Sequence, residues 1–195
     1  MNPDPRAEDV LAFWFGAPGS VDHGRPLEKW FRKDAAFDRQ IAERYGALIA
    51  SALAGELEPW AGDPASALAR IIVLDQFTRN VFRDSPRAFA GDVRALAAAR
   101  ALVESGADET LLPVQRSFVY LPFEHAEDLD AQDEGVRLHT RLAAVAPDMN
   151  DALDWARRHQ VVIARFGRFP HRNAVLGRPS TPEELAFLQQ PGSRF

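Results

Sequence analysis

The residues able to do chemistry gather in two segments of opposite charge. From Ser117 to Val136 the chain carries six acids, Glu124, Glu127, Asp128, Asp130, Asp133 and Glu134, with His125 among them and no lysine or arginine. From Trp155 to Pro182 it carries six arginines, at positions 157, 158, 165, 168, 172 and 178, with His159, His171 and no acid. A glutamate next to a histidine can move protons or ligate a metal. Guanidinium groups suit carboxylates and phosphates, because they donate two parallel hydrogen bonds. Glu124, His125 and His171 are therefore the candidate catalytic groups, and Arg168, Arg172 and Asn173 the candidates for holding an anionic ligand. Glu124 and Asp128 are four apart and would share a face if helical. Adjacent Glu-His is neither the Glu-x-x-His spacing of helical di-metal sites nor a two-histidine zinc spacing, so no metal is assigned. The chain has no Gly-rich phosphate loop, no Gly-x-Ser-x-Gly elbow and no dinucleotide fingerprint, and the cofactor stays unknown.

A third set lies upstream. On a helical wheel Asp75 and Arg79 fall with Leu68, Ile71 and Ile72, and they are four apart, so they can pair. A charge pair on an apolar stripe needs nearly complete hydrogen bonding. The pair is expected to be buried and tied to other segments, either as a strut between helices or as the floor of a polar cavity with Gln76, Asn80 and Arg83 nearby. Asp75, Arg79 and Asn80 thus join the candidate ligand-binding residues. His159 falls with Trp155, Val162 and Phe166 and reads as a packed histidine. Phe166 and Phe169 suit anchoring of the basic loop to a core, the commoner use of Phe, or stacking on bases.

The elements that must position these groups read as helices. Asp4-Pro5 starts one that Gly16 stops, and Asp34 caps a long one ending near Gly55. Asp63-Pro64 opens a third, reaching Thr78 or Phe82. Ser85-Pro86 begins an element that runs to Glu104 and stops at Gly106. Pro113 begins another, which Pro122 is expected to end or kink, since proline has no N–H to donate. Further helices fit Leu129 to Ala146 and Asn150 to Phe166, the latter closed by Gly167. Thr181-Pro182-Glu183-Glu184 is a capping box for a short last helix. Seven or eight helices with short connections and no alternating strand runs predict an all-α fold.

The 195 residues suit one domain spanning 1–195. Hydrophobic residues make up 46% and aromatics 10%, which argues against wholesale disorder. The absence of cysteine excludes disulfides and thiolate chemistry. A net charge of -5 disfavours nucleic acid as a partner, with single-stranded RNA on the Arg/Phe loop the weakest reading. Met-Asn-Pro-Asp-Pro lacks the basic start of a signal peptide, and no apolar run approaches the ~18 residues of a membrane helix, so the expectation is a cytoplasmic protein with no membrane partner.

Three ordered motifs carry a family resemblance: Leu74-Asp75-Gln76-Phe77-Thr78-Arg79-Asn80, then Tyr120-Leu121-Pro122-Phe123-Glu124-His125-Ala126-Glu127-Asp128, then Phe166-Gly167-Arg168-Phe169-Pro170-His171-Arg172-Asn173 with Leu176-Gly177-Arg178. With Val10-Leu11-Ala12-Phe13-Trp14-Phe15-Gly16 as a matching start, the chain resembles the bacterial "domain of unknown function 924" family over nearly its whole length. The resemblance implies a helical array similar to tetratricopeptide-type helix hairpins and implies no activity. Ala126 stands where many relatives carry Ser, so no hydroxyl chemistry rests on that position. Two functions remain open. In one, the motifs converge on an interhelical pocket for a small anionic ligand, a carboxylate or phosphate, with or without turnover. In the other, they form an internal salt-bridge network in a non-catalytic helical scaffold for a protein partner.

Overall fold

Side chains that accept a backbone N–H start several of the helices. Asp4 and Asp63, each followed by proline, accept from Arg6 N and Ser66 N, and Asp34 and Asp128 do the same for the helices they precede. Such caps satisfy helix-start donors that have no intrahelical partner. The computed structural model describes residues 4–193. Its α-helices are α1 (Pro5–Phe15), α2 (Ala35–Ala54), α3 (Pro64–Ile71), α4 (Thr78–Val81), α5 (Asp92–Glu104), α6 (Pro113–His125), α7 (Leu129–Val145), α8 (Asn150–Phe166) and α9 (Pro182–Phe187). A π-helical segment, Ile72–Phe77, joins α3 to α4 without a break, so eight rods result. Short 3-10 turns connect several of them, and the described residues contain no strand. The fold is all-α, as the punctuation by Pro, Gly and capping residues predicts. Met1–Pro3, on which the signal-peptide reading partly rests, lies outside the described residues. No helix among the described residues is long and apolar enough to cross a membrane.

Three local expectations are corrected. Pro122 does not end its helix; α6 continues through it to His125. The bond lost for want of a proline N–H is outweighed by packing, since Phe118, Val119, Tyr120, Pro122, Phe123 and Glu124 are all buried. Second, the element begun at Ser85-Pro86 is two: a 3-10 turn over Pro86–Phe89, then α5 from Asp92. Gly91 sits between them, and a Cβ there would lie 2.0 Å from the Leu74 carbonyl oxygen. Only glycine allows the chain to pass so close to the π segment. Third, Asp128 is the cap of α7 and so does not continue the face of Glu124.

Consecutive helices α6, α7 and α8 pack on one another, while α3 lies against α1, α5 and α6. One set of buried apolar side chains runs from Ala7 to Met149 and includes Trp14, Phe77, Phe118 and Phe123. A smaller set comprises Val162, Ile163 and Phe169, with Phe166 and Phe187 against it. The ends of α6 and the π segment meet the second set through polar and titratable side chains, and the three motifs converge there.

Candidate functional site

Asp75, in the π segment, is wholly buried. Its Oδ1 lies 2.7 Å from His125 Nδ1 and 2.9 Å from Arg79 Nη1, and its Oδ2 accepts from Gln76 Nε2 at 2.6 Å. Burial works against the charge of Asp75, but Arg79 and His125 outweigh it and hold the carboxyl below the usual range. An ionised carboxylate only accepts, so His125 Nδ1 carries its proton and the neutral ring keeps a lone pair on Nε2. Burial, followed by Arg79, depresses the pKa of His125. Arg79 also donates from Nη1 and Nη2 to Asp92 at 2.8 and 3.1 Å. Gly91 brings Asp92 to this point.

Arg172 enters from the loop after α8. Its Nη1 donates to the His125 carbonyl at 3.0 Å and lies 3.5 Å from Asp92 Oδ2. The guanidinium packs 4.4 Å from the ring centre of Phe169 and 4.7 Å from that of Phe89. Its Nε is buried with no hydrogen-bond partner, and its bonds to the described residues run through Nη1 alone. Burial, and then Arg79, lowers its pKa to about 10, which leaves it charged at neutral pH. The arginine is thus gripped on its faces by aromatic rings and on one edge by hydrogen bonds, while the Nε/Nη2 edge, the one that forks onto an oxyanion, has no partner among the described residues.

Below His125 lies Glu124, also buried. Its Oε1 is 3.2 Å from His139 Nε2 on α7, and its Oε2 is 3.4 Å from His159 Nδ1 on α8. Gly135 permits this approach, since a Cβ there would stand 3.1 Å from that of Phe123. Burial, then Asp75, raises the pKa of Glu124 well above the carboxylate range. Burial depresses His139 to about 4 and His159 to about 3. Four of the five histidines, at 125, 139, 159 and 171, thus surround or adjoin this cluster.

The rest of the basic segment forms a second, separate network. Arg168 donates to both oxygens of Glu184 at 2.6 and 2.9 Å and to the Pro179 carbonyl at 2.9 Å. Glu184 also accepts from Asn173 Nδ2 and the Thr181 N–H. Arg178 donates to both oxygens of Glu127 at 2.5 and 2.9 Å and to Asn173 Oδ1 at 3.0 Å. Among the described residues Glu127 is the one acid of the acidic segment that pairs with an arginine of the basic one; the other arginine partners come from α5, α8 and α9.

The structure brings Asp75, Arg79, Glu124, His125 and Arg172 together, with His171 beside Phe169 at a ring separation of 5.6 Å. It places Arg168 and Asn173 in the second network, and it turns Asn80 to Asp38 of α2 at 2.7 Å. Sequence reasoning missed Asp92, Gln132 and His139 and set His159 aside as packing. Gln132 and His139, seven apart on the buried stripe of α7 with Ala131, Gly135, Leu138 and Leu142, were the available signal. Among the described residues no group of three or more His, Asp or Glu side chains is arranged to hold a metal.

Residues 10–192 match the family profile described as "Bacterial protein of unknown function (DUF924)". The chain is similar to the solved structure of a protein of unknown function from Agrobacterium tumefaciens, with 37% identity and a TM-score of 0.83, over 95% of this chain and 97% of that one. No curated protein matches.

Proposed function

The chain belongs to the bacterial family of unknown function DUF924, and we propose that it binds a small anion, a carboxylate or phosphate, at the Nε/Nη2 edge of Arg172, with His125 as the neighbouring proton-handling group. The observation that carries this reading is the unpartnered Nε of a side chain only 6% exposed. A buried donor without a partner is costly, and a charged fork held by Phe89, Phe169, Asp92 and the His125 carbonyl is already oriented for an oxyanion. Charge supports it too. Arg79 and Arg172 balance Asp75 and Asp92, so an added anion leaves an excess negative charge that a proton on His125 Nε2 would cancel. Binding would then take up a proton at neutral pH. Glu124 and His171 remain secondary candidates for proton transfer; Arg168, Asn173 and Asn80 serve this site only through the packing around it.

Phosphate titration tests the reading. At about 100 times its dissociation constant a ligand stabilises by ~2.7 kcal/mol. Arg172→Lys keeps the charge and loses the fork, so it should fold and lose that response. Equal phosphate stabilisation of both proteins would remove Arg172 from the site.

A second reading, a helical scaffold for a protein partner, is favoured by one observation. Two surface grooves, of about 530 and 440 Å3, lie away from the motifs, the first between α3 and α5 and the second between α1 and α2. A tetratricopeptide-like hairpin arrangement, a single domain over 1–195 and a cytoplasmic location go with either reading and are equally proposals.

A further inference from the structure

Beneath His125 the interior has more hydrogen-bond acceptors than donors. His139 Nδ1 lies 3.0 Å from the Gly135 carbonyl, which can only accept, so the ring proton is on Nδ1 and Nε2 is a bare lone pair. That lone pair faces Glu124 Oε1 at 3.2 Å. His159 Nδ1 likewise directs its proton to the Trp155 carbonyl at 2.9 Å, with Glu124 Oε2 3.4 Å away. Gln132 directs its amide N–H groups to the carbonyls of Glu124 and Ala126 at 2.6 and 2.8 Å, which fixes its Oε1 as a further acceptor. Both Glu124 oxygens, His139 Nε2 and Gln132 Oε1 are buried without a hydrogen-bond partner. Two lone pairs 3.2 Å apart with no proton between them would repel.

We propose that Glu124 is a neutral carboxylic acid in the folded protein, its Oε1–H donating to Nε2 of His139, so that one proton latches the end of α6 to α7. The charged groups facing it agree. Asp75 on the π segment is anionic and opposes a second negative charge, while His139 and His159 are neutral. His125, next to Glu124 on α6, is engaged by Asp75. The arrangement is independent of whether Arg172 binds an anion.

The latch has a defined pH sign. The folded state keeps a proton on Glu124 that the unfolded chain releases near pH ~4.3, so stability falls as pH rises until Glu124 ionises in the fold. Below about pH 6.5 the depressed histidines oppose this, because the unfolded chain binds protons there that the folded one does not. The window from about pH 7 to about pH 9, above the histidines and below the lysine, tyrosine and arginine titrations, isolates Glu124.

Infrared spectroscopy of the wild-type protein at pH 7 should show the C=O stretch of one protonated carboxyl, absent in Glu124→Gln. The amide of glutamine supplies a donor in place of the O–H, so Glu124→Gln should fold. Its folded-to-unfolded ratio should also lack the alkaline fall of up to tenfold per pH unit expected of wild type. No protonated-carboxyl band in wild type, or a band that survives Glu124→Gln, would overturn the proposal.

Discussion

Arg168 and Arg172 are four residues apart in one basic motif, yet they do different work. Arg168 is partly exposed and its Nε/Nη2 edge is filled: Glu184 takes the fork and the Pro179 carbonyl a further Nη2 N–H. Arg172 is buried, shares Asp92 with Arg79, and keeps an edge unpaired. The difference lies in what each can reach. Thr181 starts α9 under Arg168 and delivers Glu184 to it, whereas Arg172 passes inward between Phe89 and Phe169 to a point where the acids are already engaged. An arginine-rich motif therefore says little about ligand binding until its acids are counted.

That contrast can be broken in order of size. Arg79→Met strands Asp75 and Asp92 at the inner cluster, and removing one partner of a buried pair typically costs ~3–5 kcal/mol. Its denaturant midpoint should fall well below that of wild type, and an unchanged midpoint would mean that the inner cluster is not a coupled network. Phosphate at saturating concentration should add ~2.7 kcal/mol to wild type and nothing comparable to Arg172→Lys, measured as a difference of thermal midpoints. Gly91→Ala drives a methyl into the Leu74 carbonyl and should cost ~1–3 kcal/mol by overpacking; a neutral result would show that Asp92 is not held by that close approach. The smallest effect is expected at Arg168→Ala. This variant should lose less stability than Arg79→Met and keep the full phosphate response, and loss of that response would place the anion in the outer network.

Much of the fold was legible because helix ends are local. Asp4, Asp34, Asp63, Thr181 and Gly167 act through neighbours within a few residues, and each marks the boundary it predicts. The errors arise where tertiary packing overrides local preference. Pro122 is carried inside α6 by buried neighbours, and the π segment that buries Asp75 and Gln76 together leaves no periodic trace. The site was half legible. Wheel geometry placed Asp75 and Arg79 on a buried face, and both are found paired there with groups from other segments, His125 and Asp92. The partnership of Arg168 with Glu184 was not visible, because the acids of α9 lie outside the acidic segment and only the chain reversal after Arg178 returns them. His139 was hidden for a related reason: a histidine on an apolar stripe has a chemical role only once the facing residue, Glu124, is known.

The proposed anion site turns on one N–H group, which nitrogen-15 NMR observes directly. Arg172 Nε–H, assigned by its loss in Arg172→Lys, should shift progressively and saturably as phosphate is added, while the Arg168 Nε–H, already bound to Glu184, stays in place. A titration that moves Arg168 and leaves Arg172 unchanged, or moves neither, would contradict the proposed site.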